Sequence, residues 1–396
     1  MKKIILLGLV LLLVSCGGTI SDSTNPETSA FQESEHANTP TGTLPSDVTI
    51  PVGSLTIVAA SNFTDPVASI ASLNLGNSFQ VQQRIITTDG PDIILRSFFG
   101  FLFIINRFGA DSVQVIDPIT FTIVADYSVG VGSNPQDIVL ASEHKAYVAR
   151  FNSESDEQNS DDLLVIDPFT GEKITSIDLK PYTDAGEGLA RAGQMVLVGD
   201  KLFVCVADLP ENLVYGADTN GKLVVINVET DQFVHVIQLQ GRNPADITYS
   251  PISKKIYVSN SGVYEDLDTD INDPYGGIEV IDPDTFQSLG IMVDDADLGG
   301  YPTEIRIASD QKAFVIVDSK YISLFNPLTY EILNKDFYVS DAYYLPDFSI
   351  ASNGNLLISE RSPTDPGVVI VNGDGEIVSG PIPIGAPPGS ITFIDR

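Results

Sequence analysis

One four-residue phrase recurs along the chain. Val115-Ile116-Asp117-Pro118 returns as Val165-Ile166-Asp167-Pro168 and Val280-Ile281-Asp282-Pro283. Weaker copies are Val225-Ile226-Asn227, Leu324-Phe325-Asn326-Pro327 and Ile370-Val371-Asn372-Gly373, with a degenerate one at Ser72-Leu73-Asn74. The Asp or Asn falls at 74, 117, 167, 227, 282, 326 and 372, so the intervals are 43, 50, 60, 55, 44 and 46 residues. Short β-runs returning every ~40–50 residues mark propeller blades, units that bury their faces only against their neighbours. The reading is all-β: a seven-bladed β-propeller of four-stranded blades.

Four runs make each repeat. Run A opens after a proline, as in Pro91-Asp92-Ile93, Pro135-Gln136-Asp137-Ile138, Pro244-Ala245-Asp246-Ile247, Pro302-Thr303-Glu304-Ile305 and Pro346-Asp347-Phe348. Run B is aromatic and β-branched, as in Ala146-Tyr147-Val148-Ala149 and Ala313-Phe314-Val315. Run C is the Val-Ile-Asp phrase, and run D follows a turn. The β-branched and aromatic enrichment between Asp-Pro and Gly turns is strand chemistry. The Asp or Asn that ends run C is read as structural, bonding its own backbone to start the C–D turn. Blades are expected at about 54–88, 91–133, 135–180, 193–241, 244–295, 302–340 and 346–385. The first has no run A, but Pro388-Gly389-Ser390-Ile391-Thr392-Phe393-Ile394 supplies one from the far end. That strand would complete the first blade and remove the open edge.

With these runs the chain resembles the YVTN family of seven-bladed β-propellers, whose repeat reads roughly Pro, strand, Tyr-Val-x-Asn, Val-x-Val-Ile-Asp, strand. Ile256-Tyr257-Val258-Ser259-Asn260 is the best local match, whereas Tyr147-Val148-Ala149-Arg150 replaces the Asn. Val206, Val317 and Glu360 stand near that position in other blades. The resemblance spans nearly all of 52–396. It implies the fold and carries little about activity.

Residues 1–15 read as a targeting segment, with Lys2-Lys3 ahead of an apolar Ile4 to Val14 that is short for a membrane-spanning helix. Leu13-Val14-Ser15-Cys16 then resembles a bacterial lipobox, which implies cleavage before Cys16 and acylation there. More than one acyl chain is what stable anchoring requires. Gly17 after the cysteine resembles the pattern sorted to the outer membrane, periplasmic or surface-exposed. Residues 16–51 are then a lipidated tether, rich in Ser, Thr, Asn, Pro and Gly, and 52–396 the propeller. Cys205 is the only other cysteine, in the apolar run Leu202 to Val206, and is read as a buried, inert thiol. The formal charge of −32 argues against nucleic acid and anionic lipid as partners and fits divalent cations or basic partners. Solubility in a salty habitat would account for it equally.

The insertions gather on one face. A–B and C–D turns are short, as at Glu143-His144 and Asn353-Gly354. The B–C connections 151–162, 207–222, 261–277 and 361–367 and the D–A connections 181–192, 294–301 and 341–345 are long and share the other rim. Such loops on a rigid frame are where binding evolves. They hold Glu154, Asp156, Glu157, Asp161, Asp162, Asp294, Asp295 and Asp297, and a tyrosine set: Tyr182, Tyr215, Tyr264, Tyr275, Tyr301, Tyr343 and Tyr344. Carboxylates with exposed tyrosines suit a protein or glycan partner; a solvated acidic face that binds nothing is the alternative. Asp266, Asp268 and Asp270 alternate as a possible Ca²⁺ loop, although Ile271 and Gly277 stand where an EF-hand needs Gly and Glu. Asp92, Asp137, Asp246, Glu304 and Asp347 open their inner strands and are expected at the channel mouth. There they would hold a cation, or accept backbone N–H groups and lock neighbouring blades together, which is the favoured alternative.

Three function classes remain: an envelope-anchored, monomeric binding scaffold; a metal-dependent propeller enzyme, lactonase-like or lyase-like, with a site at the channel mouth; and a surface-layer component. Only His36, His144 and His235 are present, and no nucleophile–His, HExxH, P-loop or dinucleotide motif is visible. This favours the scaffold and leaves catalysis unassigned.

Overall fold

A computed structural model describes residues 55–74, 80–152, 162–184, 189–209, 220–262, 264–265, 268–269, 275–342 and 344–394. Seven four-stranded antiparallel sheets follow one another around a ring as the blades of a β-propeller. Six are consecutive in sequence. Their inner strands are Ile93–Phe98, Pro135–Ser142, Ala192–Val198, Pro244–Ser250, Pro302–Ile307 and Phe348–Ile350, which open blades two to seven in turn. The first blade is composite: Leu55–Ala60 pairs with Ser69–Asn74 on one side and with Pro388–Phe393 on the other. The chain's last strand is therefore the first blade's inner strand, as the missing run A required.

The two middle strands of each blade are buried on both faces, as in Leu102-Phe103-Ile104-Ile105 and Leu223-Val224-Val225-Ile226. Their sequences are accordingly unbroken apolar runs rather than alternating ones. Outer strands such as Thr122–Ser128 and Gln232–Gln238 are half exposed. The apolar core is divided into seven layers, one in each seam between neighbouring blades. The layer between the seventh and first blades joins Leu357, Val368 and Ile370 to Val58, Ala71 and Leu73.

The repeated Asp or Asn makes the same turn in five blades and a variant of it in a sixth. Oδ1 of Asp117, Asp167, Asn227, Asp282 and Asn326 accepts the N–H groups two and three residues on, at 2.8–3.3 Å. Asn372 accepts those of Asp374 and Glu376. The same rim carries ties between blades that end on these turns. Tyr127 donates to Pro168 O at 2.9 Å, Tyr147 to Val228 O at 3.3 Å and Tyr257 to Pro327 O at 3.0 Å. Lys312 reaches Gly373 O.

Ile391 is 3% exposed in the closing strand. Ile391→Ala is expected to cost about 2–5 kcal/mol, the range for emptying a buried isoleucine site. Removal of 387–396 is expected to abolish the cooperative melt altogether, and differential scanning calorimetry checks both.

Candidate functional site

Inner strands run along the central channel, and their first residues sit at the long-loop rim. A β-bulge near the start of several of them sets which side chains face where. In the third blade the register runs Pro135↔Arg150 and then Asp137↔Ala149; in the fifth, Pro244↔Asn260 and then Asp246↔Ser259. The extra residue turns the carboxylate toward the next blade. Asp137 Oδ2 accepts the Met195 N–H at 3.0 Å, Asp246 Oδ2 that of Ile305 at 2.9 Å, and Asp347 Oδ2 that of Ile391 at 3.0 Å. Ser390 Oγ does the same for Leu95 at 3.1 Å. Four of the seven seams are thus fastened by one short polar side chain each.

The five carboxylates singled out from the sequence are not equivalent. The second blade has no bulge: Ile93 pairs with Asn106 and Ile94 with Ile105, so Ile94 holds the ring position. Asp92 lies two residues outside it and binds Arg107 instead, at 3.1 Å from Nε and 2.6 Å from Nη2. Glu304 holds a ring position but turns to Arg306 Nη2 at 3.0 Å. In the fourth blade the ring residue is Gln194, whose amide N–H donates to Gln136 O at 3.2 Å.

Two arginines absent from the sequence-based site occupy the channel. Arg96 donates from Nε to Asp137 at 2.8 Å and from Nη2 to Gln194 at 2.7 Å. Arg306 donates from Nη1 to Asp246 at 2.6 Å and from Nη2 to Asp347 at 3.2 Å, besides Glu304. Each joins groups from different blades, and about a quarter of its side chain (26% and 27%) faces the channel. Burial works against both guanidinium charges, but the surrounding carboxylates more than offset it and both are held firmly protonated. Burial raises Asp137 and Asp347 despite the arginines. Glu304 is pushed well above the ordinary carboxylate range, by burial first and then by Asp246, with Asp347 adding to it. The Tyr344 phenol, half-buried beside Arg107 and Asp92, is pushed up to about 12 by burial. The local signal was available: an Arg stands two residues after the ring position in Ile94-Leu95-Arg96 and Glu304-Ile305-Arg306.

The long-loop rim is also fastened by arginines. Seven of the nine arginines in the chain are 96, 107, 150, 191, 242, 306 and 361. Arg107 reaches Gln136 Oε1 at 3.2 Å, and Arg191 reaches Asn152 Oδ1 at 2.7 Å. Arg242 donates to Asn220 Oδ1 at 3.0 Å. Arg361 donates to Pro388 O at 2.9 Å and Ser61 O at 2.8 Å, across the closure.

The tyrosines of this rim are largely packing residues where their side chains are described. Tyr301 is buried, and its phenol is raised by that burial. Tyr275 lies against the Arg242 guanidinium at 3.6 Å. Tyr182 stacks on Phe233 with centroids 4.2 Å apart. Asp162 and Asp295 are buried rather than solvated. Asp162 accepts the Leu179 N–H at 2.8 Å, and Asp294 caps the one-turn helix Asp295–Leu298. The expectation of an exposed acidic and tyrosine-rich face is corrected at Tyr301, Asp162 and Asp295, which are buried. Tyr215, Tyr343, Asp266 and Asp270 lie outside the described residues. Tyr264 and Asp268 belong to a two-stranded ribbon, Tyr264–Glu265 with Asp268–Thr269, whose side chains are also outside them. Among the described residues no group of three or more His, Cys, Asp or Glu is placed to hold a metal ion. Cys205 is buried, and burial raises its thiol well above the ordinary range.

Comparisons with solved structures agree with this fold. A putative 6-phosphogluconolactonase from Bacteroides uniformis superposes with a TM-score of 0.60 at 12% identity, over 86% of this chain and 99% of that one. A functionally unknown protein from Desulfotomaculum acetoxidans gives 0.58 at 12%, over 86% and 98%. The dihydro-heme d1 dehydrogenase NirN gives 0.53 at 17%, over 89% and 78%. At such identities the likeness is one of fold alone. No protein-family profile and no curated protein matches the chain.

The channel cluster makes a pH prediction. An ordinary glutamate ionises near 4.3–4.5 in the unfolded chain, whereas Glu304 keeps its proton to higher pH when folded. Folding therefore takes up a proton between those two values, so Glu304's contribution is fully present below the unfolded pKa and is lost as pH rises through the folded one. Glu304→Gln is expected to be more stable than the parent at mildly alkaline pH and to flatten the stability profile. Melts at intervals from about pH 5 to about pH 8 check this; an unchanged profile would contradict the assigned cause. Arg306→Met leaves three carboxylates facing one another and is expected to cost about 3 kcal/mol, the low end for breaking a buried ion pair.

Proposed function

We propose that the protein is a rigid binding scaffold, presented from a lipid anchor in the bacterial cell envelope. The observation that supports this reading best is where the long connections begin and end. Their described ends lie on one rim, over a channel whose carboxylates are already committed to Arg96, Arg306 and backbone N–H groups. A frame so fastened holds loops for recognition. Asp184 and Asp297 are exposed on the described part of that rim, which suits a basic protein surface or a polar glycan. The metal-dependent enzyme reading finds no donor set among the described residues. The lactonase description of one structural neighbour transfers no residue to this chain.

The anchor is proposed at Cys16, after the Lys2-Lys3 and apolar leader, with the outer membrane as its site and 16–51 as the reach between lipid and ring. Two experiments test these parts separately. Cys16→Ala, expressed in a Gram-negative host, is expected to move the protein from the membrane pellet to the soluble envelope fraction; continued pelleting would remove the lipid anchor from the proposal. Photo-cross-linking amino acids at Asp184 and Asp297, on the long-loop rim, are expected to trap a partner in the native cell. The same groups at Glu143 and Asn353, exposed on the opposite rim, are not. Equal labelling from both rims would overturn the assignment of the binding face.

A further inference from the structure

Three charged residues meet beneath the long-loop rim of the fourth blade. Lys222 opens the strand Lys222–Asn227, and Asp208 follows the neighbouring strand Lys201–Val206. Each has 1% of its side chain exposed. Lys222 Nζ donates to Asp208 Oδ2 and lies 3.0 Å from Asp184 Oδ2. Val206, the register partner of Lys222, lies in the same seam, and Ala190, Ala207, Leu209 and Leu223 are also buried. Asp208 is held in place by its backbone as well. Its N–H donates to Ala190 O at 3.1 Å, and its φ of 53° lies in the left-handed region that non-glycine residues rarely occupy. Asp208 Oδ2 also accepts the Asp184 N–H at 2.9 Å, yet Oδ1, equally buried, has no partner among the described residues.

An ion pair serves stability poorly in this arrangement. Desolvating both charges is costly, and an unsatisfied carboxylate oxygen adds to that cost. The same geometry suits a reaction. An amine nitrogen is fixed beside a carboxyl carbon in a site closed to water, which converts condensation into an intramolecular step. A second carboxylate, Asp184, touches the amine at 3.0 Å and can take up one of its protons and hand it to the departing oxygen.

We propose that Lys222 and Asp208 condense to an intramolecular isopeptide bond, with Asp184 as the proton relay. One ammonium proton moves to Asp208 Oδ2, leaving a neutral amine and a carboxylic acid. Nζ attacks Asp208 Cγ and forms the N–C bond. A second nitrogen proton passes through the Asp184 carboxylate to the departing oxygen. The Cγ–Oδ2 bond breaks and one water leaves; no oxidant, reductant or metal takes part. Asp208 Oδ1 remains as the amide oxygen. The bond closes the foot of the 207–222 connection between residues 14 positions apart, so the loop above can vary or be cleaved without opening the blade.

Peptide mapping of the full-length chain, unfolded and digested with trypsin, tests this directly. Between Lys201 and Arg242 the only cleavage point is Lys222, and trypsin does not cut after an acylated lysine. The expected product is one peptide, Leu202 to Arg242, about 18 Da lighter than its sequence by the loss of one water. Separate peptides ending at Lys222 and beginning at Leu223, both at unmodified mass, overturn the proposal. In Asp184→Ala the separate peptides are expected to accumulate while the chain still melts cooperatively. Complete linkage in that variant would overturn the relay role of Asp184.

Discussion

Pairing between the two ends of the folded chain is the constraint on which the ring depends. Pro388–Phe393 and Leu55–Ala60 are partners in one sheet, although hundreds of residues separate them. The apolar layers lie between blades, so a blade is stable only with a neighbour on each face. An open array would leave two blades half covered and an unpaired strand edge along the channel. The polar groups follow the same logic at the same place. Asp347 reaches the Ile391 N–H from the seventh blade, and Arg361 reaches Ser61 and Pro388. Apolar, backbone and charged contacts all converge on the closure, where chain entropy opposes the fold most.

Charge is distributed against the overall sign of the chain. The formal charge is −32, yet most of the arginines are gathered at the channel and the long-loop rim. Carboxylates placed to accept backbone N–H groups across a seam would repel one another at the narrow inner radius of the ring. A planar guanidinium with several donors can bridge two or three of them at once, which a lysine ammonium does less well. Arg306 does this for the fifth, sixth and seventh blades, and Arg96 for the third and fourth. Around Arg306 the carboxylates still outnumber the cation, and burial, with Asp246 and Asp347 adding to it, pushes Glu304 well above the ordinary carboxylate range.

Much of the fold was legible because its periodic element is chemically demanding. An Asp or Asn that bonds the N–H groups two and three residues ahead is hard to replace, so the phrase survives in five blades, and in a variant form in a sixth, while the strands drift. The missing first inner strand and its replacement at the C-terminus could be read by simple accounting. The channel was read less well. Proline spacing placed Asp92 with the ring carboxylates, but the bulge that gives this spacing its meaning is absent from the second blade, and a backbone irregularity of one residue leaves no mark in composition. Arg96 and Arg306 went unread because an arginine in a half-exposed strand is ordinary in sequence; only the curvature of the ring brings the two together. The tyrosines misled for a related reason. A Tyr in a polar loop suggests exposure, but Tyr275 and Tyr301 sit where loops fold back onto the rim, beneath Arg242 in one case and against the Asp318 turn in the other.

Long insertions burden a propeller only if their ends can pull blades apart, and the feet of these loops are built against that. The connection at 151–162 leaves from Arg150 and returns at Asp162, both buried, with Arg150 N–H bonded to Asp162 O at 2.8 Å. The one at 207–222 starts and ends in the Asp208–Lys222 contact. The one at 361–367 leaves from Glu360, which accepts Tyr338 and Ser340 hydroxyls at 2.7 Å each, and Arg361 ties the next residue across the closure. In each case a buried charged side chain stands where regular pairing stops, and its hydrogen bonds replace those the ladder can no longer offer. Loop length is then free to vary at little cost, since closure entropy grows only slowly with length once the ends are fixed. The unequal intervals of the repeat, from 43 to 60 residues, follow from this division between a fastened ring and loops whose length the ring does not feel.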